Sequence, residues 1–239
     1  MILIPAIDLM NGQVVRLQQG EFDQRKRYSM DPVSLAISYK NAGFTHLHVV
    51  DLDAAKAGNP VNSEVILNIV RESSLCVDIG GGLKREEDVA FYLERGVSAV
   101  NIGSLAVKDP EKTARLIQIF GENKIYISLD LLGDEVRIHG WQKTAPVIWH
   151  EVMSWLIQQG AKTFVVTDIS RDGMLSGISE EFYKKIYKRF PSIRLIASGG
   201  VADVSDIHKL ERLGVWGVII GKALLEGNLN LNDLEEWLC

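Results

Sequence analysis

The sequence predicts an α/β fold, a single (β/α)8 barrel of the TIM-barrel kind spanning 1–239 as one domain. Two observations lead there. Short Val- and Ile-rich runs alternate with amphipathic segments eight times along 239 residues, the pattern of parallel strands covered on both faces. The two halves also repeat. Ile79-Gly80-Gly81-Gly82-Leu83 and Ala197-Ser198-Gly199-Gly200-Val201 lie 118 residues apart, and at that shift Asp88 meets Asp206, Gly96 meets Gly214, Val100 meets Val218 and Gly103 meets Gly221. A twofold half-barrel repeat closes into a barrel more naturally than into an open doubly wound sheet.

The elements follow in order. Ile2 to Ile7 reads as the first strand, and Val33 to Ala42 as a helix opened by Asp31-Pro32. His46 to Val50 is the second strand and Leu75 to Ile79 the third. A helix from Glu86 to Glu94 stops at Gly96, and the fourth strand runs from Ala99 to Ile102. Pro110 to Phe120 starts after Asp109 and stops at Gly121. Ile125 to Leu129 is the fifth strand, followed by a helix from Trp149 to Gln159 that ends at Gly160. Thr163 to Val166 is the sixth strand, and the helix from Glu180 to Phe190 ends before Pro191. Arg194 to Ala197 is the seventh strand, Asp203 to Leu213 a helix stopped by Gly214, and Trp216 to Ile220 the eighth strand. A glycine just past the last helical turn supplies the left-handed stop. The stretches Gly12-Gln13-Val14-Val15-Arg16-Leu17 and Gly133-Asp134-Glu135-Val136-Arg137-Ile138 alternate like strands and predict two small hairpins folding over the mouth. Gly12, Gly20, Gly133 and Gly140 give these loops room to move.

Composition narrows the function. A net charge of −5 argues against nucleic acid as the partner. Met1 to Pro5 is apolar but lacks a basic leader, and no apolar run approaches the ~20 residues of a membrane span. Two cysteines, Cys76 and Cys239, exclude a disulfide scaffold and suit a reducing cytoplasm. Cys76, in an apolar run, is expected to be a small core residue. Nothing in the sequence fixes the oligomeric state; a monomer is the expectation.

In a barrel the chemistry sits at the carboxyl ends of the strands. Glycine turns there let backbone N–H groups close on a phosphate. Gly81, Gly82, Gly103 and Ser104 form one expected phosphate cradle, and Gly199, Gly200, Gly221 and Lys222 the other. Two cradles imply a small substrate phosphorylated at both ends. Asp8 and Asp130 end strands one and five on opposite sides of the mouth and suit paired acid and base work. Thr167 ends strand six and can bond a reacting hydroxyl. Asp172, before Gly173, rivals Asp130 as the acid. Arg16 can add a charge-assisted contact, and Trp141 can stack on a flat heterocycle. His46 and His48 face one way on a strand but lack a third ligand. They read as core or supporting residues rather than a metal site, with His48 grouped with Arg16 and Trp141 toward substrate. His139, His150 and His208 form no cluster. No dinucleotide or Walker motif is present, so no cofactor is expected.

Taken together, Ile4-Pro5-Ala6-Ile7-Asp8-Leu9, Val14-Val15-Arg16-Leu17, Gly80-Gly81-Gly82, Ile102-Gly103-Ser104, Thr167 to Gly173, Ser198-Gly199-Gly200 and Gly221-Lys222-Ala223-Leu224 resemble the ProFAR isomerase family of histidine biosynthesis, from Met1 to about Gly227. Lys222 stands where that family also carries Arg. The resemblance implies an Amadori rearrangement of an aminoaldose to an aminoketose without a cofactor. Asp8 would be the base at C2′ and Asp130 the acid that opens the furanose, with Asp172 as its rival. Thr167 would hold the sugar and Trp141 stack on the imidazole. The sister cyclase of the same pathway is disfavoured by Ala6, which stands where that enzyme uses Cys. A dual-substrate isomerase acting also on phosphoribosylanthranilate is weakened by His139, which does not match its loop arginine. A non-catalytic barrel binding a bis-phosphorylated metabolite would keep the cradles but would not need both Asp8 and Asp130.

Overall fold

A computed structural model describes residues 1–18 and 21–238. Gly20 and Cys239, both singled out above, lie outside them. In chain order the elements are β1 (Ile2–Met10), β2 (Gln13–Gln18), β3 (Glu21–Arg27), α1 (Pro32–Asn41), β4 (His46–Asp51), α2 (Leu52–Ala57), α3 (Ser63–Ser73), β5 (Cys76–Gly80), α4 (Glu86–Leu93), β6 (Ala99–Ile102), α5 (Ser104–Lys108) and α6 (Pro110–Phe120). There follow β7 (Ile125–Leu132), β8 (Glu135–Ile138), β9 (Lys143–Ile148), α7 (Trp149–Gln158), β10 (Thr163–Asp168), α8 (Glu180–Arg189), β11 (Arg194–Ser198), α9 (Val204–Leu213), β12 (Gly217–Ile220), α10 (Lys222–Leu225) and a 3₁₀ turn (Leu231–Trp237).

Eight strands pair in parallel in the order β1, β4, β5, β6, β7, β10, β11, β12, and β12 returns to β1. The sheet is closed, as the sequence predicts. Alternation along each strand separates two cores. Side chains such as Leu47, Val49, Val77, Ile79, Leu129 and Val166 point outward and pack under the helices. Ile4, Ala6, Val165, Ile196 and Ile219 form a smaller cluster inside the barrel. Both expected hairpins are present: β2 runs antiparallel to β1 and continues into β3, and β8 runs antiparallel to β7 and continues into β9. Each is fastened to the barrel. Lys26 and Tyr28 bond to Glu226 at 2.8 and 3.1 Å, whereas Asp134 accepts from the Trp149 indole at 3.0 Å and from Lys185.

Helix starts follow local chemistry. The Asp31 and Asp109 side chains accept from Ser34 and Lys112 backbone N–H groups at 2.8 and 3.0 Å, capping α1 and α6. No helix is expected from the sequence between 51 and 74, yet α2 and α3 occupy it. Ile66 and Ile69 of α3 are fully buried. The stop of α3 is Ser74 at φ 55°, a left-handed residue that is not glycine, so the usual glycine signal is missing. Cys76 is a second correction: it is exposed rather than part of the core. It opens β5 opposite His46 at the amino-terminal rim of the barrel, and strand alternation puts it on the inner face with Asp78, at the open end of the barrel rather than under the helices. No helix among the described residues is long and apolar enough to cross a membrane.

Candidate active site

The carboxyl ends of the barrel strands surround a cavity of about 390 Å³. Asp8, Arg16, His48, Gly81, Gly82, Gly103, Ser104, Asp130, Trp141, Thr167 and Asp172 all line it. Strands β1 and β7 thus bring both predicted carboxylates to one space. A smaller recess of about 20 Å³ adjoins it, bounded by Gly199, Gly200, Gly221 and Lys222 and sharing Arg16, Asp172 and Ser198 with the main cavity.

The glycine pairs are required by close backbone approach. Gly81 and Gly199 take φ 108° and 94°, a region that side chains disfavour. A Cβ on Gly81 would run into the Asp51 carbonyl, and one on Gly199 would lie 2.7 Å from the Asp168 carbonyl. In both cradles, therefore, the first glycine rests on the aspartate that ends a barrel strand. Those aspartates are fixed in turn. Asp51 accepts from Ala54, Val61 and Asn62 backbone N–H groups at 2.9, 3.1 and 2.8 Å. Asp168 accepts from Ser170 N–H at 3.1 Å and from its hydroxyl at 2.6 Å. Lys222 donates to the Gly173 carbonyl at 2.8 Å, joining the second cradle to the loop that carries Asp172.

Arg16 has a more central place than its sequence position suggested. Its guanidinium bridges Asp8 at 3.0 Å and Asp172 at 3.1 Å. It also lies over Gly221, where a Cβ would come within 2.7 Å of its Cζ. Asp130 has different surroundings. The Trp141 and Thr167 side chains hydrogen-bond to it, but burial still holds its proton affinity above the ordinary carboxylate range, with the charge of Asp172 adding to the effect. Asp172 is also raised by burial, against the pull of Arg16.

The loop bearing Trp141 is backbone-strained. His139, Gly140 and Trp141 take φ 58°, 60° and 69° in succession, an arrangement that costs free energy for the two residues with side chains. It is held at the first cradle: His139 N–H donates to Ser104 Oγ at 3.1 Å, and Lys108 bonds to the His139 ring. Lys84, Lys108 and His139 all line the cavity, and the sequence reading did not place them there. Lys84 stands two residues past the glycine run, which was the available signal. Histidines 46 and 48 separate in role. His46 bonds to Thr45 and packs edge-on against Trp216, whereas His48 pairs with Asp78 through Nδ1 at 2.6 Å. Asp78 was also missed, although the alternation of β5 points it inward beside His48.

Comparison with known proteins now adds to this geometry. Residues 2–230 match the family model described as histidine biosynthesis protein. Relatives include a protein of Bacteroides thetaiotaomicron, 42% identical over 99% of both chains, and one of Cytophaga hutchinsonii, 40% identical over 98% of both. A third, from Halothermothrix orenii, is 39% identical over 99% of this chain and 100% of its own. Each of the three is named 1-(5-phosphoribosyl)-5-((5-phosphoribosylamino)methylideneamino)imidazole-4-carboxamide isomerase. With a barrel closed as expected and a family match covering nearly its whole length, this chain belongs to the histidine biosynthesis protein family.

Proposed function

We propose that this enzyme, an isomerase of histidine biosynthesis, converts the aminoaldose ProFAR to the aminoketose PRFAR by acid–base catalysis. The observation that carries the reading is that Asp8 and Asp130 line one cavity from opposite sides of the barrel, between glycine cradles at 81–82 and 199–200. The named activity of relatives at about 40% identity supports it.

The chemistry assigns a proton to each carboxylate. Asp130 protonates the ribose ring oxygen, the C1′–O bond breaks, and the lone pair of the attached nitrogen forms the C1′=N iminium. Asp8 removes the C2′ proton, and those electrons make the C1′=C2′ enaminol while nitrogen regains its pair. The enaminol takes a proton at C1′ and releases its 2′-hydroxyl proton, which leaves the ketone. Two protons are taken up and two released, and no electrons leave the substrate, so the balance calls for no redox partner.

Between the two candidate acids, Asp130 suits the task better. Its hydrogen-bond partners, Trp141 and Thr167, are neutral donors, whereas Asp172 touches the Arg16 guanidinium at 3.1 Å, which favours the ionised form. Arg16 also touches Asp8 at 3.0 Å, so one guanidinium is shared by the base and Asp172. The phosphates, held at Gly81, Gly82, Gly103 and Ser104 and at Gly199, Gly200, Gly221 and Lys222, fix the reacting carbons between the carboxylates. Thr167 would bond a sugar hydroxyl and Trp141 would stack on the imidazole once it leaves Asp130. A single chain would suffice, since every residue invoked comes from one barrel, and a cytoplasmic setting fits a phosphorylated metabolite.

The test is an absorbance-coupled assay with ProFAR, run beside phosphoribosylanthranilate. Turnover of ProFAR, absent in Asp8→Asn, is the expected result. Undiminished turnover in that variant removes the base assignment.

A further inference from the structure

The middle of the barrel interior is divided. On one side Ile4, Ala6, Val165, Ile196 and Ile219 make an apolar arc, the usual filling of such a barrel. On the other side β4, β5, β6 and β7 contribute His48, Asp78, Asn101 and Ser128. These four are linked. His48 Nδ1 meets Asp78 Oδ1 at 2.6 Å, Asn101 donates its amide to the same oxygen, and the Ser128 hydroxyl donates to Asn101 Oδ1 at 3.1 Å. The Asp78 and His48 side chains are only 7% and 12% exposed. A buried carboxylate is costly unless it is paired and hydrogen-bonded, and a Val or Ile would fill the position without that cost.

The polar group reaches the site through three of its members. His48, Asn101 and Ser128 line the same cavity as Asp8 and Asp130, whereas Asp78 lies behind them. With Nδ1 committed to Asp78, Nε2 is the ring nitrogen left for a ligand. In the parallel register His48 stands beside Ala6, two residues below Asp8.

We propose that Asp78 is a positioning residue for the isomerisation: with Asn101 and Ser128 it fixes His48 as an N–H donor from the barrel interior to a hydroxyl of the ribose held between Asp8 and Asp130. The inference rests on the function proposed above and extends it by one donor and its support. Burial works against a charged His48, but Asp78, with a smaller contribution from Asp8, outweighs it and raises its proton affinity. The charged groups facing the ring are Asp78 on β5, Asp8 on β1, Arg16 on β2 and Asp130 on β7. Of these only Asp78 bonds to it. His48 therefore keeps its proton beyond the ordinary histidine range, and with the proton kept both ring nitrogens are donors, Nδ1 toward Asp78 and Nε2 toward the hydroxyl.

The experiment pairs kinetics with an NMR titration of His48, assigned by its loss in His48→Gln. In the wild type the His48 resonances are expected to titrate above the ordinary histidine range. Asp78→Asn keeps the shape and removes the charge. It is expected to lower kcat about 10- to 100-fold with KM little changed. The alkaline limb of kcat and the His48 midpoint should both move to lower pH by about one unit or more. His48→Gln, which keeps a donor but cannot titrate, should abolish that limb. An unchanged limb and midpoint in Asp78→Asn overturn the proposal. So does a wild-type His48 already neutral in the ordinary range, a reading that stands even if the Asp78 variant fails to fold. If Asp78→Asn retains kcat while Asp8→Asn loses it, this inference fails and the acid–base reading survives. Full activity in Asp8→Asn sinks that reading, and the titration still reports on Asp78.

Discussion

At the scale of single residues, the carboxylates of the site differ in their access to the Arg16 guanidinium. Arg16 touches Asp8 and Asp172 and leaves Asp130 to neutral donors. Single-turnover measurement of Asp130→Asn and Asp172→Asn separates the two acids. Asp130→Asn should lose about 10²-fold or more, and a rate near that of wild type assigns the acid elsewhere. Asp8→Asn should lose turnover yet still bind a bis-phosphorylated product analogue, as calorimetry would read. Asp8, Asp130 and Asp172 were legible because each follows an apolar run or precedes a glycine turn. Their partners were not. The Arg16 bridge spans 156 positions to Asp172, and the Asp78–His48 contact depends on a strand register that no local pattern encodes.

Among the elements, the strand-to-helix loops do the positioning. Asp51 shows how: its buried carboxylate gathers the backbone of Ala54, Val61 and Asn62 while its carbonyl lies under Gly81. Asp51→Ala strands those N–H groups and should cost about 3 kcal/mol or more, because buried unsatisfied donors carry the full desolvation penalty. Chemical denaturation would measure it, and KM should rise as the first cradle loosens. A change within about 0.5 kcal/mol would show that the loop is held by packing alone. The barrel strands and capped helices were legible from Val- and Ile-rich runs, Asp caps and glycine stops. The helix α3 was not, since Ser74 replaces the glycine stop. The short α5 and α10 were hidden by their length: five and four residues are too few for a periodic pattern.

For the whole molecule, the site works against stability. Asp130 and Asp172 both hold protons more tightly folded than unfolded. Each therefore destabilises the fold when ionised, and the deficit is relieved as pH falls through its folded value. Asp130→Asn should accordingly raise Tm, by roughly 2–4 °C for each kcal/mol recovered in a chain of this size, while activity is lost. Differential scanning calorimetry at neutral pH checks this; a lower Tm would mean that the hydrogen bonds from Trp141 and Thr167 outweigh burial. The effect of His48 has the opposite sign. Its raised affinity contributes stability below the unfolded histidine value, lost as pH rises through the folded one. The guanidinium that spans Asp8 and Asp172 also overhangs Gly221, so an anion seated there must share it. Shared charge tightens the hold of Asp172 on its hydrogen ion, and association should draw such ions from the medium. Calorimetric heats of complex formation recorded in two buffers of unlike ionisation enthalpy would then diverge, and their difference counts the ions absorbed per molecule bound.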